Sequence, residues 1–388
     1  MTNQGRLKVA VFFGGRSVEH GVSIVTAAQV MNVMDRGKYD LLPVYCSEKG
    51  DYFLVSEFDV SEHAGLPLNP ASFDAFARAK GRRVQVSAEK GRLLSTLRST
   101  PGIGERTSPI EVDVAFAVMH GTHGEDGSLQ GVFELADVAY VGPNMASAAI
   151  SMDKIAAKAA FRGLGLPVVD GFWIDRASWG LEQGPIVERA AMLGWPVYAK
   201  PATLGSSIGV SRVTEASELA FAVDTVFAYD RRCIIERGVD GGMDINVSVM
   251  RDARGVYVSR CERPIKDDEV LDYATKYLRG SKQEGMAAAR RVIPADIPDD
   301  VAARVQEMAR LAYTELNFNG VARVDFLVDP NGWKAYINEI NAIPGSLALY
   351  FWELEGITSV EVIDRAIQEA VSAQAAKART LHSISEAR

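Results

Sequence analysis

The chain has 388 residues, 47% of them hydrophobic and 24% charged, with a formal net charge of −8. That length suits two or three domains, the composition is that of a globular protein, and the acidic balance argues against a nucleic-acid or anionic-membrane surface. No apolar run reaches the ~18 residues of a membrane-crossing helix, no signal peptide precedes the first strand, and Cys46, Cys233 and Cys261 are too scattered for a disulfide framework or a zinc site, so a reduced, cytoplasmic protein is expected.

Leu7–Phe13 is an apolar run that stops at Gly14-Gly15. A helix pattern follows from about Val22 to Met34, with Ser17 and Ser23 as caps. Strand, glycine turn and helix open a parallel α/β unit. Leu41–Cys46 is the next strand; residues 47–110, polar and broken by Pro and Gly, read as an insertion of short helices and strands. Val112–Met119 is a buried strand ending at His120-Gly121, HGTHGEDGSLQG feeds a helix from near Ser128, and Val138–Val141 is a further strand. Residues 1–146 are thus expected to form a small open parallel sheet with ligand loops at the carboxyl ends of its strands.

A second unit, 147–236, has a helix Ser151–Leu164, a strand Pro196–Lys200, the loop ATLGSSIGV, a short strand Val210–Val213, a helix over 215–229 and a strand Cys233–Glu236. A third, 237–376, has strands Ile245–Met250 and Val256–Arg260 and a Lys/Arg/Gly-rich loop over about 263–291. Its amphipathic helix runs from Asp299, as N-cap, to Leu316, with Val301, Val305, Met308 and Ala312 on one stripe. A β-hairpin and a final helix Ser359–Ala376 follow, and 377–388 is a polar tail. There is no internal repeat.

The hairpin Val321–Gly345 turns at Pro330-Asn331-Gly332. Alternation sets Arg323 and Asp325 on one face, with Val324, Phe326 and Val328 on the other. Glu339 and Asn341 share a face of the return arm, level with Asp325 to within about a residue. Oxygen donors of this kind suit Mg²⁺, which takes one or two carboxylates plus substrate phosphates; the pattern fits a solvated hairpin face equally well. Gly205-Ser206-Ser207-Ile208-Gly209, after the strand ending in Lys200, could cradle phosphate through its backbone N–H groups and hydroxyls. It lacks the P-loop spacing and also reads as a surface loop. Lys154 alone is an ordinary surface lysine. The strand ending in Glu236 could serve as a hinge for an adenine or be a plain strand end. Glu19, at the first strand-to-helix turn, could hold an ammonium; His120, Glu125 and Asp126 sit at another such turn, where the acids could simply cap the helix.

Taken in order, these stretches resemble the D-alanine–D-alanine ligases of the ATP-grasp superfamily. The resemblance rests on GGRSVEHGVS (14–23), HGTHGEDGSLQG (120–131), SMDK (151–154), AKPATLGSSIGV (199–210), DYATKY (272–277), ARVDF (322–326) and NEINAIPG (338–345), which span most of the chain. It implies an ATP-grasp fold with an N-terminal open parallel α/β domain, here classed as α/β (α+β), two ATP-grasp subdomains (147–236 and 237–376) and a mobile loop near 263–291. It implies ATP-dependent ligation of two D-alanines through an acyl phosphate, for peptidoglycan precursor synthesis, or of an amino acid to another acceptor such as D-serine. By the same likeness, Lys154, Lys200 and Lys276 approach the phosphates of ATP together with Ser206 and Ser207. Glu236 and Val239 line the adenine, and Asp244 falls near a ribose-binding position. Asp325, Glu339 and Asn341 ligate two Mg²⁺, or Mn²⁺ in their place. Glu19, with His120 nearby, holds the first D-alanine. Arg323 and the Gly345 N–H face the oxyanion, and Ser206 and Tyr277 link two loops over the site. A homodimer is the family habit. Three departures stand out. Ser346-Leu347-Ala348-Leu349-Tyr350-Phe351 replaces a Thr-rich run, with Tyr350 where a serine binds the second substrate's carboxylate, so that either Ser346 takes its place or the substrate differs. The segment after Tyr277 is longer, and Gly21 stands where Glu is common. Tyr277 itself favours an amino acid over a hydroxy acid as second substrate.

Overall fold

The computed structural model describes residues 5–56, 70–100, 104–265 and 290–380. Its first sheet has eight strands: β1 (Leu7–Gly14), β2 (Tyr39–Cys46), β3 (Tyr52–Leu54), β4 (Arg82–Val86), β5 (Leu94–Thr100), β6 (Gly104–Ile110), β7 (Val114–Ala117) and β8 (Ala139–Val141), ordered β6-β5-β4-β3-β2-β1-β7-β8. β1 is apolar on both faces because helices cover both sides, as parallel strands require; Val9–Phe13 are fully buried. The pairs β1–β2, β1–β7 and β7–β8 are parallel.

The expected small parallel sheet is half of what forms. Within 47–110, β3 to β6 continue the sheet antiparallel from β2. The β2–β3, β4–β5 and β5–β6 connections are short enough for hairpins, which parallel pairing does not allow, while residues 55–81 join β3 to β4. The helix α1 (His20–Val33) starts two residues before the expected Val22, and neither Ser17 nor Ser23 caps it. Glu19 is the cap residue; the Ser17 hydroxyl accepts from the Glu19 N–H, and Ser23 donates to the Glu19 carbonyl. Next come α2 (Pro70–Lys80) and α3 (Ser128–Ala136).

The helix expected over Ser151–Leu164 is two, α4 (Met145–Met152) and α5 (Lys154–Gly163). The Asp153 carboxylate accepts from the N–H groups of Ile155 and Ala156 at 2.9 and 3.2 Å and so restarts the helix. The second sheet holds β9 (Gly171–Asp175), β10 (Val197–Pro201), β11 (Ser211–Val213) and β12 (Arg232–Arg237), antiparallel in the order β11-β10-β12-β9. α6 (Arg176–Leu181) and α7 (Gln183–Met192), with β9, fill a stretch that periodicity left unassigned, and α8 (Leu219–Phe227) backs the sheet.

The third sheet has β13 (Met243–Asp252) and β14 (Gly255–Val258), then a short ladder of β15 (Arg263–Pro264) and β16 (Arg291–Val292) beside it. α9 (Asp299–Glu315) follows, then β17 (Val321–Asp329) and β18 (Lys334–Asn341), giving the order β14-β13-β17-β18. The α9 N-cap is Pro298; Asp299 instead lies in the first turn beside Asp300, where negative charge suits the helix dipole. Val301, Val305, Ala309 and Ala312 are buried against the apolar sheet face, with Met308 only partly covered. Past a short turn, α10 (Leu349–Glu353) leads to α11 (Ser359–Lys377), which begins in a Thr358/Glu361 capping box. α11 returns to the first sheet, where Val362, Ile363 and Ile367 join the β1 core. Residues 266–289 of the long loop and the last eight residues of the tail lie outside the described residues.

Val324, Phe326 and Val328 all point into the α9 core. Phe326→Ala is expected to cost about 3–5 kcal/mol in chemical denaturation, as large-to-small changes in a packed core do; a loss under about 1 kcal/mol would contradict the packing described.

Candidate active site

The hairpin builds the floor of the site. Across β17 and β18, Asp325 stands opposite Glu339 and Arg323 opposite Asn341, while Phe326 already pairs with Ile337. Asn338 is therefore an extra residue, a β-bulge. Unbulged pairing would set Glu339 opposite Val324, on the apolar face; the bulge turns both Glu339 and Asn341 to the polar one. On the other side of β17, Asn246 stands opposite Asp325 and Ser248 opposite Arg323. Glu262 completes the row, exchanging two 2.8 Å backbone hydrogen bonds with Asn246. Glu262, Asn246, Asp325 and Glu339 thus cross the sheet side by side.

Arg323 donates two hydrogen bonds of 2.7 Å to the two Asp325 oxygens, and Asn341 Nδ2 donates to Asp325 Oδ2 at 2.9 Å. Burial pushes the Asp325 carboxyl up; Arg323 opposes this, and the charges of Glu339 and Asp244 add to it. Among the described residues no three His, Cys, Asp or Glu side chains gather as a metal cage. What gathers is two carboxylates and an amide, the donor set of a Mg²⁺ that keeps water and phosphate ligands. Arg323 donates to both Asp325 oxygens, and the carboxylate, with about four lone-pair sites, keeps one for a cation.

The wall opposite carries lysines. Lys154 Nζ donates to the Leu204 carbonyl at 2.6 Å and lies 3.6 Å from Glu339 Oε2, so it joins the Gly-Ser loop to the hairpin row. Lys200 Nζ donates to Glu236 Oε2 at 2.8 Å, and Lys158 Nζ lies 2.7 Å from Glu236 Oε1. Burial pushes Glu236 up, but Lys200 and Lys158 outweigh it and hold the carboxyl down at about 2. Sequence reasoning missed Lys158. Its signal was the spacing from Lys154, four residues on along α5 and hence on the same face. The Glu236 carboxylate is committed to the two lysines, which leaves the backbone of this strand end, and the half-buried Val239 beyond it, to face any base. Asp244 sits one alternation along β13 from Asn246, on the same face as the row.

A third group forms around Glu19. Ser206 and Ser207 adopt positive φ, 53° and 58°, and the Ser206 hydroxyl donates to the Glu19 carboxylate in a short hydrogen bond. Gly121 lies so close that a Cβ there would come within 2.8 Å of Glu19 Oε2. His120 is buried; its Nε2 is 2.9 Å from Thr26 Oγ1, and burial pushes its pKa down to about 4. Glu125, read from sequence as a helix cap, instead accepts from the N–H groups of Gly121 at 2.7 Å and Ile343 at 3.1 Å. Burial and the nearby Glu19 push it up to about 8. Gly345 is buried at the head of a left-handed turn in which Ser346, Leu347 and Ala348 have φ of 53°, 48° and 50°. Three such non-glycine residues in a row are strained; the Ser346 N–H is held by Thr26 Oγ1 at 3.3 Å.

Beyond this turn, the Tyr350 hydroxyl donates to Glu262 Oε2 at 2.6 Å, and Arg291 lies over the Tyr350 ring at 4.0 Å and 3.7 Å from Glu262 Oε1. Sequence reasoning flagged only Tyr350 of these three. The structure thus brings together Glu19, His120, Lys154, Lys200, Ser206, Glu236, Arg323, Asp325, Glu339, Asn341, Gly345 and Ser346, around two walls and a floor. Lys276 and Tyr277 lie outside the described residues.

Comparison with known proteins gives matches along nearly the whole chain. The family model described as D-ala D-ala ligase N-terminus matches residues 8–143, and that described as D-ala D-ala ligase C-terminus matches residues 160–368. The chain is similar to a D-alanine–D-alanine ligase of Paenarthrobacter aurescens, 35% identical and covering 95% of this chain and 96% of the relative. A second such ligase, from Chloroherpeton thalassium, is 34% identical over 94% of this chain and 96% of its own. Among solved structures, the D-alanine–D-alanine ligase of Coxiella burnetii superposes with a TM-score of 0.77 at 27% identity, covering 96% of each chain. The D-Ala:D-Ser ligase of Enterococcus faecalis has the same TM-score and identity, covering 94% of this chain and 99% of its own.

The Lys158–Glu236–Lys200 group has a pH signature. The Glu236 carboxyl is held below its ordinary 4.5, at about 2, so its stabilising contribution is complete above about 4.5 and is lost as pH falls toward 2. Glu236→Gln is expected to cost about 3–5 kcal/mol near neutrality, since it leaves two buried ammonium groups without their anion. In denaturation series, the gap between wild type and variant should close between pH 5 and 2; a constant gap would contradict the pairing.

Proposed function

The chain belongs to the D-alanine–D-alanine ligase family, and from that membership we propose that it joins two D-alanines into D-alanyl-D-alanine, converting ATP to ADP and phosphate, as a cytoplasmic step in making peptidoglycan precursors. The observation that carries the reading is the position of Lys154, between the Gly-Ser loop at Leu204 and the Asp325–Glu339 row. A triphosphate laid between these two walls meets cations on one side and, on the other, carboxylates that need a metal. The division into 1–146, 147–236 and 237–376 draws support from one four- or eight-stranded sheet falling in each, with the final helix returning to the first core and ATP between the second and the third.

In this reading the adenine lies against the backbone past Glu236 and beside Val239, with the ribose toward Asp244. Lys154, Lys200 and the Ser206–Ser207 backbone hold the phosphates, with Lys276 added from the loop. Asp325, Glu339 and Asn341 hold Mg²⁺, or Mn²⁺, which supplies neutralisation of charge spread over the transferring phosphoryl group. Glu19, oriented by Ser206 and backed by His120, receives the ammonium of the first D-alanine. The carboxylate oxygen of that D-alanine attacks the γ-phosphorus, and ADP leaves. The amine of the second D-alanine then attacks the acyl carbon. Arg323 and the Gly345 N–H stabilise the tetrahedral oxyanion; its collapse expels phosphate, and the amine proton passes to solvent or base. Tyr277 and Ser206 close the loops against water. Two copies assemble as a homodimer.

Phosphate release should require Mg²⁺ together with D-alanine in a panel of D- and L-amino acids. No stimulation by D-alanine would sink the reading, and faster turnover when D-serine is added as acceptor would point to a mixed product. Asp325→Asn and Glu339→Gln should each abolish turnover with the fold intact by circular dichroism; near-normal rates would remove these two residues from the metal site. Arg323→Met should lower kcat by about 10²–10³, the loss expected for one oxyanion donor.

A further inference from the structure

Lys158 has no part in the steps above, yet it is the one buried lysine among the described residues. It lies four residues after Lys154 on α5, and its side chain is 2% exposed. Burying an ammonium is costly unless an anion meets it. Glu236 does so: Lys158 Nζ lies 2.7 Å from Glu236 Oε1, its one ion pair among the described residues. Burial pushes the Lys158 ammonium down, and the Glu236 charge is what chiefly opposes this.

The same carboxylate holds Lys200 on its other oxygen, at 2.8 Å. Strand pairing sets this geometry. Tyr198 of β10 stands opposite Glu236 of β12, and Lys200 is one alternation on, so both charged side chains lie on one face. On the other side of β12, Gly171 of β9 stands opposite Glu236, and a Cβ there would come within 3.1 Å of Glu236 Cγ. The glycine leaves the carboxylate its space. The two lysines are not equivalent. Lys200 is 14% exposed and reaches the open side of the group, while Lys158 is closed off behind Glu236.

Lys200 has two competing partners in the ligase reading, Glu236 and a phosphate. An ammonium carries three donors, and Glu236 takes one. A Glu236–Lys200 pair by itself would be neutral, and a phosphate brought to Lys200 would meet the carboxylate bonded to the same ammonium. With Lys158 on the second oxygen, two cations share one anion, and Glu236 keeps a partner when Lys200 turns to the nucleotide.

We propose that Lys158 is a positioning residue for nucleotide binding: it anchors and neutralises the Glu236 carboxylate, so that Lys200 can give its charge to a phosphate. Lys158 itself stays behind the carboxylate and meets no phosphate. The ligand class is a nucleoside di- or triphosphate, and the inference rests on the ligase reading.

Calorimetric titration with ADP and Mg²⁺ reads binding without turnover, and steady-state kinetics separates the KM of ATP from that of D-alanine. Lys158→Met should weaken ADP binding and raise the ATP KM by about tenfold or more, the loss expected when a hydrogen bond to a charged group is weakened. The D-alanine KM at saturating ATP should stay within about twofold of wild type. Lys158→Arg, which keeps the charge, should retain most of the affinity. The double variant Lys158→Met, Glu236→Gln leaves Lys200 without a competing anion and should bind ADP about threefold or more better than Lys158→Met alone; a merely structural lysine predicts no such recovery. Folding is checked by circular dichroism, and Lys158→Gln carries the same predictions if the Met variant does not fold. ADP affinity within about twofold of wild type in Lys158→Met or Lys158→Gln, a double variant no better than the single one, or ATP and D-alanine KM rising together would each overturn the proposal. Wild type that binds neither ADP nor ATP would instead overturn the ligase reading on which it rests.

Discussion

A single extra residue in one strand, the bulge at Asn338, decides whether this chain has a site at all. Side chains alternate across a strand, so a one-residue shift exchanges the two faces. Without the bulge, Glu339 would enter the α9 core opposite Val324, a charge among apolar groups with no partner. With it, Glu339 and Asn341 join Arg323 and Asp325 on the open face, and the row extends through Asn246 to Glu262. The apolar half of the same strands, Val324, Phe326 and Val328, is what keeps that register in place.

Charge then organises the space above the row. The Lys158–Glu236–Lys200 group holds two buried cations about one anion and so keeps a surplus of positive charge next to Lys154. On the far side, Glu19 and Glu125 form a carboxyl pair in which burial and Glu19 push Glu125 up to about 8, so that near neutrality the negative charge rests on Glu19, with Glu125 tied to the backbone at Gly121 and Ile343. That tie links the first sheet to the segment leading into Gly345. The positive and negative regions face each other across the row, an arrangement suited to an anionic triphosphate at one end and an ammonium at the other. The strained turn Ser346–Ala348 persists because Thr26 and the packing of Leu347 and Ala348 hold it.

Much of this was legible in sequence, for physical reasons that differ by element. The hairpin could be read because period-two alternation and a Pro-Asn-Gly turn are local signals, and the turn set Glu339 level with Asp325 to within about a residue. The bulge that makes it exact could not be read, since it is settled by packing on both strands. β1 was legible as a long apolar run, and α11 as a helix over Ser359–Ala376. The antiparallel half of the first sheet was not, because its strands are short and half polar. Asp153 ended one helix and began another where periodicity saw one. Single-residue roles were least legible. Lys158 looked like any helical lysine, Glu125 like a cap, and Glu262 and Arg291 like loop charges, because what distinguishes them is burial against residues far away in the chain. The family likeness supplied the order of the motifs, and the coordinates supplied the partners.

The central claim is that this row of carboxylates, with the lysines facing it, activates a carboxylate by phosphorylating it. The most direct measurement follows an oxygen atom. With D-alanine carrying ¹⁸O in its carboxylate, transfer through an acyl phosphate must leave one labelled oxygen in the phosphate released for each D-alanyl-D-alanine formed, detectable by mass spectrometry or by the isotope shift of the phosphorus resonance. Label in phosphate at that ratio is the predicted result. Dipeptide formed with unlabelled phosphate would contradict the account.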